Sequence, residues 1–171
     1  EQREIVRILT TLTAELGGEA REFLSTMDVM AHFDSMYAKA QYALRRNGIK
    51  PQILDENRIE LRNVYHPLLQ WTGNAKPIPL SIEFTADTRG HLISGPNAGG
   101  KSICLKTVGL IQYMWQSGVP VSVGEGSKMG FFEKIMVDIG DQQSIENDLS
   151  TYSSHISNMK WMLNEANSKT L

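Results

Sequence analysis

The chain has 171 residues, 41% of them apolar and 21% charged, which is the composition of an ordinary globular protein with room for one domain and an appendage. A formal net charge of -2 argues against strong intrinsic affinity for nucleic acid, which normally needs a basic surface. A single cysteine, Cys104, excludes an intrachain disulfide and suits a reducing, cytoplasmic setting, and no apolar run reaches membrane-spanning length.

The first 47 residues read as two helices. Ile5, Ile8, Leu9, Leu12 and Leu16 share one helical face, and Gly17-Gly18 interrupts the pattern. Met27, Met30, Phe33, Tyr37, Ala40 and Leu44 then recur at spacings of three and four until Asn47-Gly48 and Pro51. This methionine and aromatic stripe reads as packing surface, not a binding groove. Positions 1 to 50 carry seven acidic and seven basic residues, so a helical lever fits better than a DNA-gripping arm.

From about residue 53 the pattern shortens. Arg58 to Val64 alternates like a half-buried strand, Leu80 to Phe84 alternates again, and His91 to Ser94 predicts a short strand. Ser102 to Gln116 predicts a helix with Leu105, Val108 or Gly109, Leu110 and Met114 on its inner side. Val119 to Val123 and Phe131 to Asp138 predict two more strands. Tyr152, Ile156, Met159, Leu163 and Ala166 mark a last amphipathic helix. Helices alternating with short buried strands predict an α/β domain. Cys104, in an apolar helical stretch, reads as a small buried hydrophobe.

Between the third predicted strand and the helix stands Gly95-Pro96-Asn97-Ala98-Gly99-Gly100-Lys101-Ser102, which satisfies G-x-x-x-x-G-K-[ST] completely. Glycines let consecutive backbone N–H groups point at phosphate oxygens, and the following helix adds free N–H groups and the positive end of its dipole. Lys101 is placed to reach the β- and γ-phosphates of ATP or ADP, and the Ser102 hydroxyl to bind Mg²⁺. The strand–loop–helix setting weighs against a chance match. No Asn-Lys-x-Asp segment supports a GTPase.

Further on, Asp138-Ile-Gly-Asp141-Gln142-Gln143-Ser-Ile145 leads to Leu149-Ser150-Thr151-Tyr152. Taken by themselves, Ser150 or Thr151 is a helix N-cap and Asp141 and Asp148 are loop charges. Together with the glycine loop, these segments resemble the MutS family of DNA mismatch-repair ATPases, closer in detail to its branch outside classical mismatch recognition. Tyr65-His66-Pro67-Leu68 resembles the motif that opens that family's ATPase domain, and Asp28-Val-Met the end of its lever helices. The resemblance covers nearly the whole chain. It implies a partial P-loop NTPase of ABC type over residues 51–171, preceded by a helical lever segment over 1–50.

The same resemblance implies a homodimer through the ATPase domain, in which Ser150 and Thr151 approach the nucleotide held by the partner's loop. It puts Asp141 near the metal, Gln142 or Gln143 near the attacking water, and Ile78 against adenine, on a loose match. His66 is expected to be structural, bonding loop backbone. An acidic metal-holding residue at the end of a later strand, four apolar residues followed by Asp-Glu, is absent after residue 152. The chain is therefore expected to be cut from a longer protein, to lack the DNA-contacting regions, and to hydrolyse ATP negligibly by itself. An ABC-type ATPase of another branch, for chromosome maintenance or transport, would carry a Ser-Gly-Gly-Gln type signature, which is missing. A small-molecule kinase would need arginines after the loop, and none follows Arg89. Intact Lys101 and Ser102 argue against a non-catalytic module with a decayed site.

Overall fold

A computed structural model describes residues 1–69, 77–85, 87, 88, 90–96, 99–139 and 148–171, with backbone only for 148–152. The chain divides into two compact units, Glu1–Gln41 and Tyr42–Leu171. No helix among the described residues is long and apolar enough to cross a membrane.

The first unit holds α1 (Gln2–Gly18) and most of α2 (Ala20–Arg46). The Gly17-Gly18 pair ends α1 as its poor helix propensity predicts, and the Glu19 N–H closes the turn on Leu16. Both helices are amphipathic, yet neither buries a side chain among the described residues. The predicted packing stripe is real as a pattern and uncovered as a surface: Leu9, Met30 and Phe33 are all exposed.

In the second unit, α2 stops where Asn47 adopts a left-handed φ of 49°. The Gly48 N–H then reaches back to the Ala43 carbonyl at 2.8 Å, a Schellman-type closure. The sheet follows, in the order β1-β4-β2-β3, from β1 (Gln52–Leu54), β2 (Ile59–Val64), β3 (Leu80–Phe84) and β4 (Lys128–Gly130). β1 runs parallel to β4, and β2 runs antiparallel to both β4 and β3. In β2, Ile59 and Leu61 face inward by strict alternation, but the next inward residue is Val64. An irregularity between Leu61 and Val64, where Asn63 takes φ 45°, resets the phase. On the other face Glu60 lies opposite Lys128, with their charged atoms 2.8 Å apart.

Helix α3 (Lys101–Gln116) supplies the other half of the core. Val108, Ile111 and Trp115 join Ile59, Leu61, Val64, Val121, Val123, Met129 and Phe132 in one buried cluster. Full burial of each large side chain contributes about 1.5–3 kcal/mol. The inward face is therefore rotated from the predicted one. Leu105 is half-exposed and lines an apolar cavity of about 310 Å³ with Ile82, Phe84, Ile93, Val137 and Leu171. Cys104 borders the same cavity and is only partly buried. Apolar residues surround α3 almost completely, so its own sequence leaves the phase open. A buried amide settles it. The Gln112 side-chain N–H₂ donates to the Gly130 carbonyl at 2.8 Å and to Gln116 Oε1 at 2.7 Å. The Gln116 amide in turn accepts from the Phe132 N–H and donates to the Phe132 carbonyl, taking the place of a strand neighbour.

Three predicted strands differ. Residues 91–94 form no regular strand, 119–123 contributes a single bridge from Val121 to Ile49, and 131–138 a single parallel bridge from Lys134 to Thr170. Each segment has strand-like sequence, but a ladder needs a neighbour, and the described residues supply only isolated ones. Around the Lys134 bridge, hydrogen bonds from Glu133 to Lys169 and from Met136 to Leu171 begin a parallel pairing. Helix α4 (Asp148–Glu165) ends beside it, with Glu165 bonded to Lys134 at 2.7 Å. The predicted apolar face of α4, at Ile156, Met159 and Leu163, is exposed.

Two outcomes follow from this packing. A Cβ on Gly109 would lie 2.8 Å from Val137 Cγ2. Ala normally gains about 1 kcal/mol over Gly inside a helix, but overpacking costs about 1–3 kcal/mol. Gly109→Ala should therefore lower stability in urea denaturation, against the propensity trend. The second outcome concerns His66, whose Nδ1 is buried with no hydrogen-bond partner among the described residues, so the expected bond to loop backbone is not made through Nδ1 to any of them. Burial, and then the positive charge of Lys106, hold its pKa below the ordinary value. The unfolded chain thus binds the proton more tightly, and stability from this group is complete above about pH 6.5 and lost as pH falls below it. Thermal melts should show this loss between neutral and mildly acid pH, and His66→Gln should flatten it.

Candidate functional site

The glycine loop is carried on α3. Upstream, the His91 ring bonds the Glu83 carbonyl at 2.7 Å through Nε2 and meets Phe84 edge-on at 4.7 Å, which ties the approach to the loop to β3. Gly95 then takes φ 149° and Gly100 takes φ 80°, conformations that cost a side-chain-bearing residue dearly and glycine little. Among the described residues nothing stands within 4 Å of the position where a Cβ would be at either glycine. The Gly99 N–H closes a turn on the Pro96 carbonyl at 3.0 Å. Gly100 is the N-cap of α3, and among the described residues no side chain caps the helix. The first N–H groups of a helix have no partner within the helix, and such a start favours an anion.

Lys101 completes the arrangement. Its ammonium donates to the carbonyl oxygens of Gly95 at 2.6 Å and Pro96 at 2.7 Å. The positive charge is thereby held against the backbone of the loop's first two residues. Ser102, next on the helix, is exposed. A helix start, an open glycine turn and one ammonium fit a polyphosphate, and an exposed hydroxyl at the same end fits a hard cation bound with it.

Gly95, Pro96, Gly99, Gly100, Lys101 and Ser102 are thus brought together. Asn97 and Ala98 lie outside the described residues, as do Asp141, Gln142 and Gln143. Ser150 and Thr151 fall in the first turn of α4, described as backbone. Ile78 is 91% exposed on the approach to β3. Among the described residues no three His, Cys, Asp or Glu side chains gather into a metal cluster.

One polar constellation escaped the sequence reading. Asp138 Oδ2 accepts from His155 Nδ1 at 2.6 Å, and Oδ1 accepts from Asn158 Nδ2 at 3.3 Å. The His155 bond, with a smaller contribution from Asn158, holds the Asp138 carboxyl below the ordinary range. The three-residue spacing of His155 and Asn158 on a helix was visible, but their partner seventeen residues upstream of His155 was not.

Comparison with known proteins places the chain in a family. The family described as MutS domain V matches residues 91–171, from the approach to the glycine loop through α4. Over all 171 residues the chain is 42% identical to a protein named endonuclease MutS2 from Shouchella clausii. It is 40% identical over the same span to the protein of that name from Thermotoga neapolitana, and 41% to that of Staphylococcus carnosus. It spans 21% of the length of the first of these relatives and 22% of the other two. Glycine loop, helix α3 and the segments that follow it thus lie in a matched domain, and the chain belongs to the MutS family.

Proposed function

We propose that this chain is the ATP-binding part of a MutS-like DNA repair or recombination ATPase, a partial P-loop NTPase of ABC type preceded by a helical lever segment (1–50). The observation that carries the proposal is the open glycine turn at the start of α3 with the Lys101 ammonium held on its carbonyls. Backbone N–H groups from Gly95 to Gly100 would cradle the phosphates of ATP or ADP, with Lys101 exchanging its two carbonyl acceptors for β- and γ-phosphate oxygens. Ser102 would hold Mg²⁺, with Asp141 near it. When bound, the cation neutralises charge on the β- and γ-phosphates. Gln142 or Gln143 would orient the attacking water, and Ile78 would cover one face of adenine.

Ser150 and Thr151, in the first turn of α4, would serve the nucleotide of a second copy in a homodimer. The dipole of α4 adds to their effect on a γ-phosphate. Engagement of DNA would belong to parts of a larger protein, and its control to ATP binding and dimerisation. A cytoplasmic location is consistent with the lone cysteine and with the lack of a spanning helix among the described residues.

Titration calorimetry with Mg²⁺ and ATP should show saturable binding by this chain, weakened at least about tenfold in Lys101→Ala, a loss of about 1.4 kcal/mol. ATP turnover by the 171 residues alone should be negligible, since no Asp-Glu strand end follows residue 152. A steady rate abolished by Lys101→Ala would contradict that expectation. Duplex DNA should bind the chain only in the non-specific range, and a dissociation constant of about 10⁻⁸ M or tighter at physiological salt would contradict the division of labour.

A further inference from the structure

The Asp138 constellation lies outside the glycine loop, and its geometry does more than satisfy three polar groups. His155 and Asn158 stand three residues apart on α4 and take one carboxylate oxygen each. A helix held at one point can still swivel. Held at two, on both oxygens of a planar carboxylate, it has a fixed rotation and a fixed axial position. The His155–Asp138 pair is partly shielded, with His155 27% and Asp138 18% exposed, while Asn158 is exposed.

Asp138 is itself anchored toward the loop. Its neighbour Val137 lies hard against Gly109, at a distance that leaves no room for even a methyl group. Gly109 sits eight residues along the helix that begins at Lys101. A continuous run of packed parts therefore leads from the glycine loop down two turns of α3, across the Gly109–Val137 contact, to Asp138, and through His155 and Asn158 into α4. Thr151 lies one helical turn before His155. The links are a helix, a close-packed glycine, a short hydrogen bond to a carboxylate and a second helix.

We propose that Asp138, His155 and Asn158 are positioning residues that set the register of the first turn of α4 relative to the glycine loop, and so couple nucleotide at the loop to whatever α4 presents to a second nucleotide site. The proposal rests on the nucleotide reading of the loop. A purely structural pair would lower stability and leave the kinetic parameters of the folded fraction alone. A positioning pair changes the rate and spares ground-state binding, because the ATP cradle is built without it.

The test is steady-state ATP turnover by the full-length protein containing this chain, with thermal melts of each variant. His155→Ala should lower kcat about tenfold while KM for ATP stays within about twofold. His155→Asn places an amide nitrogen near the position of Nδ1 and should restore kcat to within about threefold of the parent. Unchanged kcat in His155→Ala, a raised KM with unchanged kcat, or an Asn variant no better than Ala would overturn the coupling. Should His155→Ala fail to fold, the Asn variant decides alone: near-parent kcat supports the proposal, and a kcat lowered as if the bond were missing overturns it. Lys101→Ala separates the two ideas. If it leaves turnover intact, or the parent shows none, the nucleotide reading falls and the coupling with it. If it abolishes turnover while His155→Ala leaves kcat untouched, only the coupling falls.

Discussion

The candidate site depends on the burial of one side of α3. Val108, Ile111 and Trp115 are locked into the sheet cluster, and Gln112 is tied to the Gly130 carbonyl, so the helix can neither rotate nor slide without breaking buried contacts. Its first residue is Lys101. Fixing the helix therefore fixes where its N-terminal N–H groups point and where the ammonium sits. The glycine loop needs little stability of its own, because a well-packed element delivers it.

The same helix explains why the loop stays open. Gly95 and Gly100 take backbone conformations that suit glycine, and among the described residues nothing lies within 4 Å of where a Cβ would stand on either. Among the described residues no side chain caps the helix, and Lys101 bonds two loop carbonyls. A turn built only for stability would more economically end on a Ser, Thr or Asp cap. Spending a lysine on backbone carbonyls, and leaving the helix start uncapped, is a local departure from stability rules of the kind expected at functional sites.

Much of this was legible in the residues. Local signals carried through: the Gly17-Gly18 break, the Asn47-Gly48 stop, the alternating strands near 59–64 and 80–84, and the glycine loop with its helix. What failed depended on distant partners. The inward face of α3 was misjudged because Gln112 reads as polar and becomes the most firmly bonded buried residue on the helix. Short β4 was missed because Lys128-Met-Gly130 has no strand signature apart from the neighbours it meets. Segments 91–94 and 131–138 have the composition of strands, but pairing is a property of two segments. Asp138 was read as the end of a predicted strand, and its partner His155 comes to it on α4. In the first unit the stripe on α1 and α2 was read correctly as a pattern, while its burial could not follow from periodicity alone.

The central claim is that the open turn at the start of α3 is where nucleotide binds. Backbone amide NMR spectra of the chain during titration with Mg²⁺ and ATP test it most directly. The account predicts saturable shifts concentrated at Gly95, Gly99, Gly100, Lys101 and Ser102, with the buried amides of Ile111 to Trp115 little changed. Shifts centred elsewhere on the molecule, or none at millimolar nucleotide, would contradict it.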